Sequence, residues 1–216
     1  MDLEQTADSI SLSQPKLIRK GLELLEMEDF TLVSSTFWHG TIDLKLTLKP
    51  DKIKSSNAVK YYTDTTWADD LESRLSRSGS ICFWKACPVS WNSKKQKNIT
   101  LSLTEAELKA LSDGVKESQW ITYLIEELWK EKLDPSEFNV DNQGLIERIK
   151  NFGSNSKTKD LDIKMKWLRK LKNSNQINVR LIPSGKMVAD ALTNPRSAES
   201  LQRLQARCFL VFFSPN

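Results

Sequence analysis

The segment VKYYTDTTWADD (residues 59–70) joins an aromatic and β-branched run to an aspartate. Val59, Tyr61 and Tyr62 favour a β-strand, whereas Asp is depleted from strands. The pattern therefore predicts a strand over residues 59–63 that ends at Asp64. At the tip of that strand, Asp64 is either a turn residue or a carboxylate held for chemistry, and the pattern alone favours the turn.

The neighbouring segments add strands to this one. TIDLKLTL (residues 41–48) alternates apolar and polar side chains, which predicts a half-buried strand. SGSICFW (78–84) and CPVSWNSKK (87–95) are two further strand candidates that follow closely along the chain. Together with residues 59–63 they predict a three-stranded antiparallel meander.

The second half of the chain changes to helical periodicity. Apolar residues at mostly helical spacing predict a long helix from Thr104 to about Trp129. The segments after it predict, in order, a strand over 137–141, a helix in NQGLIERIK, a basic helix over 160–172, a strand over 176–182, and a last helix that begins in MVADALTNP and stops at Pro195. The predicted fold is a mixed α/β sheet, three antiparallel strands and then further strands, flanked by helices. Near the start, we predict a hairpin around residues 7–9 and a helix over 15–27.

Composition excludes several classes of protein. The 216 residues are 39% hydrophobic and 28% charged, which is typical of a globular protein rather than a disordered one, and no apolar run is long enough to span a membrane. The three cysteines lack metal-ligand spacing, which predicts free thiols in a reducing compartment and argues against a zinc site. Free thiols favour the cytoplasm or the nucleus as the compartment.

Positive charge is concentrated in two places. Between residues 150 and 172 there are eight Lys or Arg against two Asp, although the net charge of the whole chain is only +4. A second cluster, SKKQK (93–97), follows Trp91. Each cluster by itself is typical of a solvated surface, but two of them close to aromatic residues favour a polyanionic partner such as nucleic acid.

Four carboxylates lie at the ends of predicted elements: Asp64, Glu107, Asp141 and Asp190. Carboxylates from several elements can hold magnesium, and paired ions can catalyse hydrolysis of a phosphodiester. Each residue also has a structural interpretation. Glu107 completes a capping box with Thr104, Asp141 is a possible N-cap, and the other two suit a turn and a helix N-terminus. The spacing alone does not decide between these interpretations.

An ordered set of motifs resembles the ribonuclease H domain of copia-type retrotransposon Pol polyproteins. The matching motifs cover about two-thirds of the chain and are YTDTTWADD (62–70), SRSGS (76–80), PVSWNSKKQKNITLSLTEAEL (88–108), VDNQ (140–143), SKTKDLDIK (156–164) and LIPSGKMVADALTNP (181–195). The resemblance implies a ribonuclease H-like α/β fold, with three antiparallel strands and then parallel strands, and hydrolysis of the RNA strand of RNA–DNA hybrids.

The resemblance also implies the site residues. Two Mg²⁺ ions, with Mn²⁺ as an alternative, are expected at four catalytic and metal-binding carboxylates: Asp64, Glu107, Asp141 and Asp190. Within TEAE, Glu107 is chosen over Glu105, because residues two apart on a helix do not face the same site. The residues expected to contact nucleic acid are Lys94, Lys95, Lys97, Asn142, Lys157, Lys159 and Lys164.

The chain departs from the family pattern in ways that support an alternative function. Residues 1–50 resemble a truncated remnant of the reverse transcriptase and connection region, residues 51–195 the ribonuclease H-like domain, and residues 196–216 a C-terminal tail. Asp160 replaces a usual His, and Asn194 replaces a usual Lys.

The main hypothesis is a monomeric nuclease that acts with the reverse transcriptase portion of a polyprotein, in the cytoplasm, including virus-like particles there, or in the nucleus. The alternatives are an inactive fragment that keeps the fold and binds nucleic acid, and an integrase-type transferase.

Overall fold

A computed structural model describes residues 2–14, 16, 19–20, 46–48, 56–150, 159–194 and 197–208, without the side chains of residues 47, 159 and 160. The chain divides into two compact units, Met1–Pro50 with Leu204–Asn216, and Asp51–Arg203. The domain limits given above stay predictions. Within residues 196–216, predicted as a C-terminal tail, residues 198–208 form a helix.

The smaller unit contains a three-stranded antiparallel sheet in the order β1-β2-β3. Its strands are β1 (Asp2–Gln5), β2 (Ile10–Ser13) and β3 (Leu46–Leu48). The predicted hairpin is confirmed, and the Thr6 amide closes its turn by donating to the Ser9 carbonyl at 2.9 Å. Most of the predicted helix over 15–27, and residues 41–45 of the predicted strand, lie outside the described residues.

The larger unit is built on a five-stranded mixed sheet in the order β6-β5-β4-β7-β8. Strands β4, β5 and β6 are antiparallel neighbours, whereas β4 pairs with β7, and β7 with β8, in parallel. The strands are β4 (Lys60–Thr66), β5 (Arg77–Trp84), β6 (Cys87–Lys95), β7 (Ser136–Val140) and β8 (Ile177–Leu181). This sheet confirms the ribonuclease H-like fold class, three antiparallel strands followed by parallel ones.

Strand β4 continues beyond the end predicted for it. Asp64 pairs with Gly79 inside the sheet, and the strand ends only at Thr66, so the prediction that Asp64 terminates the strand is wrong. Backbone pairing with β5 continues past the aspartate, because the ladder uses main-chain groups whatever the side chain is. Asp64 therefore lies within a strand, with strand residues before and after it along the chain, and not in a turn.

The helices that follow β6 along the chain keep the predicted order, with one addition. They are α1 (Leu103–Trp129), α2 (Gln143–Lys150), α3 (Lys159–Asn173), α4 (Asp190–Thr193) and α5 (Ala198–Cys208), with a 3₁₀ turn over Ser184–Lys186. Helix α4 is a single turn, since Pro195 cannot continue it and restricts the residue before it. Helix α5 was not predicted. It begins after Ser197, whose hydroxyl accepts a hydrogen bond from the Ser200 amide at 3.2 Å.

Helix α1 covers the central strand of the sheet. Tyr61 and Phe138 stack with ring centroids 5.0 Å apart, and Leu111 and Val115 of the helix belong to the same buried core. Gly114 allows the close approach, because a Cβ there would lie 3.0 Å from Cγ2 of Thr63. The three cysteines are free thiols, as predicted, and all three are buried. Among the described residues, no helix is both long and apolar enough to cross a membrane.

Candidate active site

Three carboxylates from three different elements converge at one edge of the sheet. Asp64 lies near the end of β4, Asp141 directly follows β7, and Glu107 lies in the first turns of α1, with one side-chain oxygen of each within 4.8 Å of the others. Because β4 and β7 are parallel neighbours, their carboxyl ends meet at the same edge. Tyr62 pairs with Asn139, so two residues further along both strands the aspartates lie side by side on one face.

Helix capping separates the roles of the two glutamates in TEAE. Ser102 is the N-cap of α1, and its hydroxyl accepts from the Glu105 amide at 3.2 Å, while the Glu105 carboxylate accepts from the Leu101 amide at 2.9 Å. The capping box is therefore Ser102 with Glu105, and the predicted box of Thr104 with Glu107 is wrong. Since Glu105 serves the cap, Glu107 is the glutamate that joins the cluster with Asp64 and Asp141.

Burial makes the cluster of three carboxylates unfavourable without a cation. Glu107 is only 2% exposed, and one of its oxygens, Oε2, has no hydrogen-bond partner. Burial, and then the charges of Asp64 and Asp141, raise the pKa of Glu107 to about 9. Burial is also the main reason why the pKa of Asp64 is raised to about 6. An unpartnered acidic oxygen among other carboxylates is the environment that a hard divalent cation would satisfy.

Asp190 lies beside the three carboxylates but is not one of the converging set. Its charge contributes to the raised pKa of Asp64, so it is close to the site. One of its oxygens, Oδ2, accepts hydrogen bonds from the Ser200 hydroxyl and from the Arg203 guanidinium, the latter at 3.1 Å. Asp190 therefore has a protein cation as its partner, supplied by α5.

Helix α4 is fixed against the central strands by close contacts. A Cβ at Gly79 would lie 2.8 Å from Cγ2 of Thr193 and 3.0 Å from the Ala189 carbonyl, so only glycine leaves room for α4. The Thr193 hydroxyl donates to Oδ2 of Asp64, and the Thr66 hydroxyl donates to the Thr193 carbonyl at 3.1 Å. These contacts set the position of Asp190 relative to Asp64.

The sequence analysis did not identify Thr193, Ser200 or Arg203 as site residues. The SAES pattern at residues 197–200, a Ser followed three positions later by another hydroxyl residue, indicates a helix start. No local pattern shows that Arg203 reaches Asp190, because that contact depends on how α5 packs. Asp141 is not a helix cap, since Oδ1 of Asn142 accepts from the Leu145 amide at 2.9 Å and caps α2.

The basic residues predicted to bind nucleic acid fall into three groups. Lys94 pairs with Asp113 at 3.7 Å, and Lys95 pairs with Asp70, which together with the hydrogen bonds from Ser73 holds the pKa of Asp70 below its usual range. Lys97 is exposed and Lys164 is half-buried. Lys157 and the side chains of Lys159 and Asp160 lie outside the described part of the chain. The described basic residues near the sheet edge are thus partly neutralised within the protein.

Comparisons with solved structures find ribonucleases H1. LC11-RNase H1, isolated from compost by a metagenomic approach, matches with a TM-score of 0.49 and 19% identity, over 67% of this chain and 99% of that chain. RNase H1 from Halobacterium salinarum NRC-1 matches with a TM-score of 0.48 and 18% identity, over 67% of this chain and 98% of that one. No protein-family model matches the chain.

Sequence comparison finds relatives among transposon polyproteins. The retrovirus-related Pol polyprotein from transposon RE2 of Arabidopsis thaliana is 30% identical over 177 residues, which is 82% of this chain and 12% of that protein. The Pol polyprotein from transposon TNT 1-94 of Nicotiana tabacum is 33% identical over 141 residues, 64% of this chain and 10% of that protein. The chain thus spans about a tenth of the relatives it matches. It is a homologue of one segment of the copia-type, retrovirus-related Pol polyproteins of transposons.

Proposed function

We propose that the chain is a ribonuclease H that hydrolyses the RNA strand of RNA–DNA hybrids, as one segment of a retrotransposon Pol polyprotein. The observation that carries the proposal is the set of Asp64, Glu107 and Asp141, with oxygens within 4.8 Å of one another. Homology to transposon Pol polyproteins supports it, because the motifs that contain these residues resemble the ribonuclease H segment of that family. The hybrid substrate and the metal requirement are inferences from this resemblance.

The donor set fits magnesium. Carboxylate oxygens are ligands that a hard divalent cation prefers, and the unpartnered Oε2 of Glu107 gives such a cation a buried acceptor. Asp64, Glu107 and Asp141 would hold one ion, and Asp190 would contribute to a second one with Asp64. When bound, such ions lower the pKa of a coordinated water and stabilise the leaving oxygen of a phosphodiester.

Other side chains of the chain position the carboxylates and would bind the hybrid. The Thr193 hydroxyl donates to Asp64 and fixes the orientation of its carboxylate on β4. Arg203 and Ser200 hold Oδ2 of Asp190, and Asp190 would offer its other oxygen to the second ion. Exposed Lys97 lies on the segment before α1 and would neutralise backbone phosphates of the bound hybrid.

Cleavage of a labelled hybrid in Mg²⁺ tests the proposal. The wild-type chain is expected to cut the RNA strand, whereas Asp64→Asn and Asp141→Asn each abolish cleavage while hybrid binding is retained. Asp134→Asn is the matched control, because Asp134 is exposed and precedes β7 at the opposite edge of the sheet. Equal cleavage by the wild type and the Asp141→Asn variant would contradict the proposal.

The second candidate is a nucleic-acid-binding fragment without cleavage activity. It is favoured by one observation, the ion pair between Arg203 and Asp190, which places a fixed positive charge on the fourth carboxylate. Hybrid binding by the wild type without cleavage in Mg²⁺ or Mn²⁺ would support this candidate.

We further expect a monomer that contacts the reverse transcriptase portion of the polyprotein, in the cytoplasm or the nucleus. Sedimentation of the isolated chain tests the first of these expectations.

A further inference from the structure

Exposed apolar side chains lie directly after β4 and in the segment before α1, the two elements that carry Asp64 and Glu107. Trp67 is 49% exposed, Ile99 is 59% exposed and Leu101 is 80% exposed. Exposed apolar residues that stand singly are common, but an indole and two aliphatic side chains on two hydrogen-bonded segments form a patch, and such a patch indicates a binding surface. We call Trp67, Ile99 and Leu101 the apolar platform.

The platform is held by hydrogen bonds between two loops. The Trp67 Nε1 donates to the Thr100 carbonyl at 3.0 Å, which places the indole against the segment that carries Ile99 and Leu101. The Thr100 and Ser76 hydroxyls are 3.0 Å apart, and the Ser76 hydroxyl also accepts from the Ala68 amide at 3.1 Å. The indole is therefore fixed before any ligand binds.

The backbone next to the indole is strained. Ala68 has a φ of 51°, in the left-handed region that residues other than glycine rarely adopt. Such conformations cost free energy and are concentrated at binding and catalytic sites. Ala68 directly follows Trp67 and lies two residues past Thr66, where β4 ends.

The platform and the three carboxylates share the edge of the sheet at which β4 ends. Trp67 follows Asp64 by three residues, a distance of about 10 Å along an extended chain. Leu101 directly precedes Ser102, the N-cap of the helix that carries Glu107. Lys97, two residues before Ile99, is exposed and adds positive charge to the same surface.

We propose that the apolar platform binds sugars and base edges in the minor groove of an RNA–DNA hybrid, next to the bond that is cut. This inference rests on the proposed function and adds a residue that determines its substrate. The near-A-form minor groove of a hybrid is wide and shallow and admits a fixed indole, whereas the minor groove of B-DNA is only about 6 Å wide. Trp67 would therefore favour the hybrid over duplex DNA.

The experiment measures binding in an Asp141→Asn background, so that the hybrid stays intact. Trp67→Ala is expected to weaken binding of a labelled hybrid by about 10- to 100-fold, the range for returning one buried large apolar side chain to water, and to change binding of duplex DNA less. Trp67→Phe keeps an aromatic face and is expected to lose less. Trp120→Ala is the matched control, since Trp120 is 62% exposed on α1 and is expected to leave binding unchanged.

Tryptophan fluorescence gives a second readout that does not depend on the affinity. Hybrid binding is expected to quench emission of the parent protein, and Trp67→Phe is expected to remove most of that quenching. Equal hybrid affinity in the parent and Trp67→Ala, or full quenching in Trp67→Phe, overturns the platform while the proposed function stands. No hybrid binding by the parent overturns both. Comparison of circular dichroism spectra verifies that each variant is folded.

Discussion

Replacement of Glu107 by Gln should make the metal-free protein more stable at alkaline pH. The folded-state pKa of Glu107 is raised from 4.5 to about 9, mainly by burial. Between these values the folded state keeps a proton that the unfolded state has released. The free energy of unfolding therefore falls as the pH rises towards 9. The full contribution of protonated Glu107 to stability is present only below its unfolded-state pKa. Gln cannot ionise, so E107Q removes this loss.

The size of the effect follows from the pKa difference. Each pH unit in this window costs about 1.4 kcal/mol for one group. Asp64, with a folded-state pKa raised to about 6, adds to the slope mainly below neutral pH. From pH 6 to 8.5 the wild type should therefore lose about 3 kcal/mol relative to E107Q through Glu107 alone.

Urea unfolding in EDTA at a series of pH values measures this difference. The free energy of unfolding of E107Q minus that of the wild type should grow steadily from pH 6 to 8.5. Magnesium should restore the stability of the wild type at pH 8.5 and do so less in E107Q, because Glu107 is a proposed ligand. A difference that is constant across this range would refute the reasoning.

Glu105→Gln is the matched control for the same experiment. Glu105 lies on the same helix turn, but its carboxylate accepts from the Leu101 amide as part of the capping box. Its replacement is expected to lower the free energy of unfolding by about 0.5–1 kcal/mol, as loss of a cap contact does. The decrease should be similar at each pH, because this side chain is not buried among the carboxylates.

Three further substitutions test individual contacts. Arg203→Gln should lower the free energy of unfolding by about 1–2 kcal/mol, since it leaves Asp190 without its charged partner; a change within the error of urea titration would contradict the ion pair's role. Gly79→Ala should cost about 1–3 kcal/mol and reduce hybrid cleavage, because the new Cβ clashes with Thr193 at 2.8 Å; unaltered thermal unfolding would argue against this close packing. Asn142→Ala should cost about 1 kcal/mol and Asn142→Asp almost nothing, because Asp also caps a helix; equal losses in the two variants would show that capping is not the reason.

Local sequence patterns were sufficient for the elements but not for all their limits. Alternation and helical spacing predicted the strands of the larger sheet and the long helix α1 in the right order. They placed Asp64 at a strand tip, whereas pairing with β5 extends β4 to Thr66. They also assigned the capping box to Thr104, because two Ser/Thr-x-x-Glu patterns overlap there and only the backbone conformation selects Ser102.

By itself, the sequence determined the order of strands and helices and the carboxylates worth considering, because both depend on residues close together along the chain. The tertiary structure decided which acidic oxygens meet. Parallel pairing of β4 with β7 brings distant segments together, and Nδ2 of Asn139 donates to the Tyr61 carbonyl at 3.0 Å across 78 residues. It also decided that Asp190 is held by Arg203, since packing of a helix that the motifs did not mark forms that pair. Periodicity reports which face of an element is apolar, whereas side-chain convergence depends on how separate elements pack.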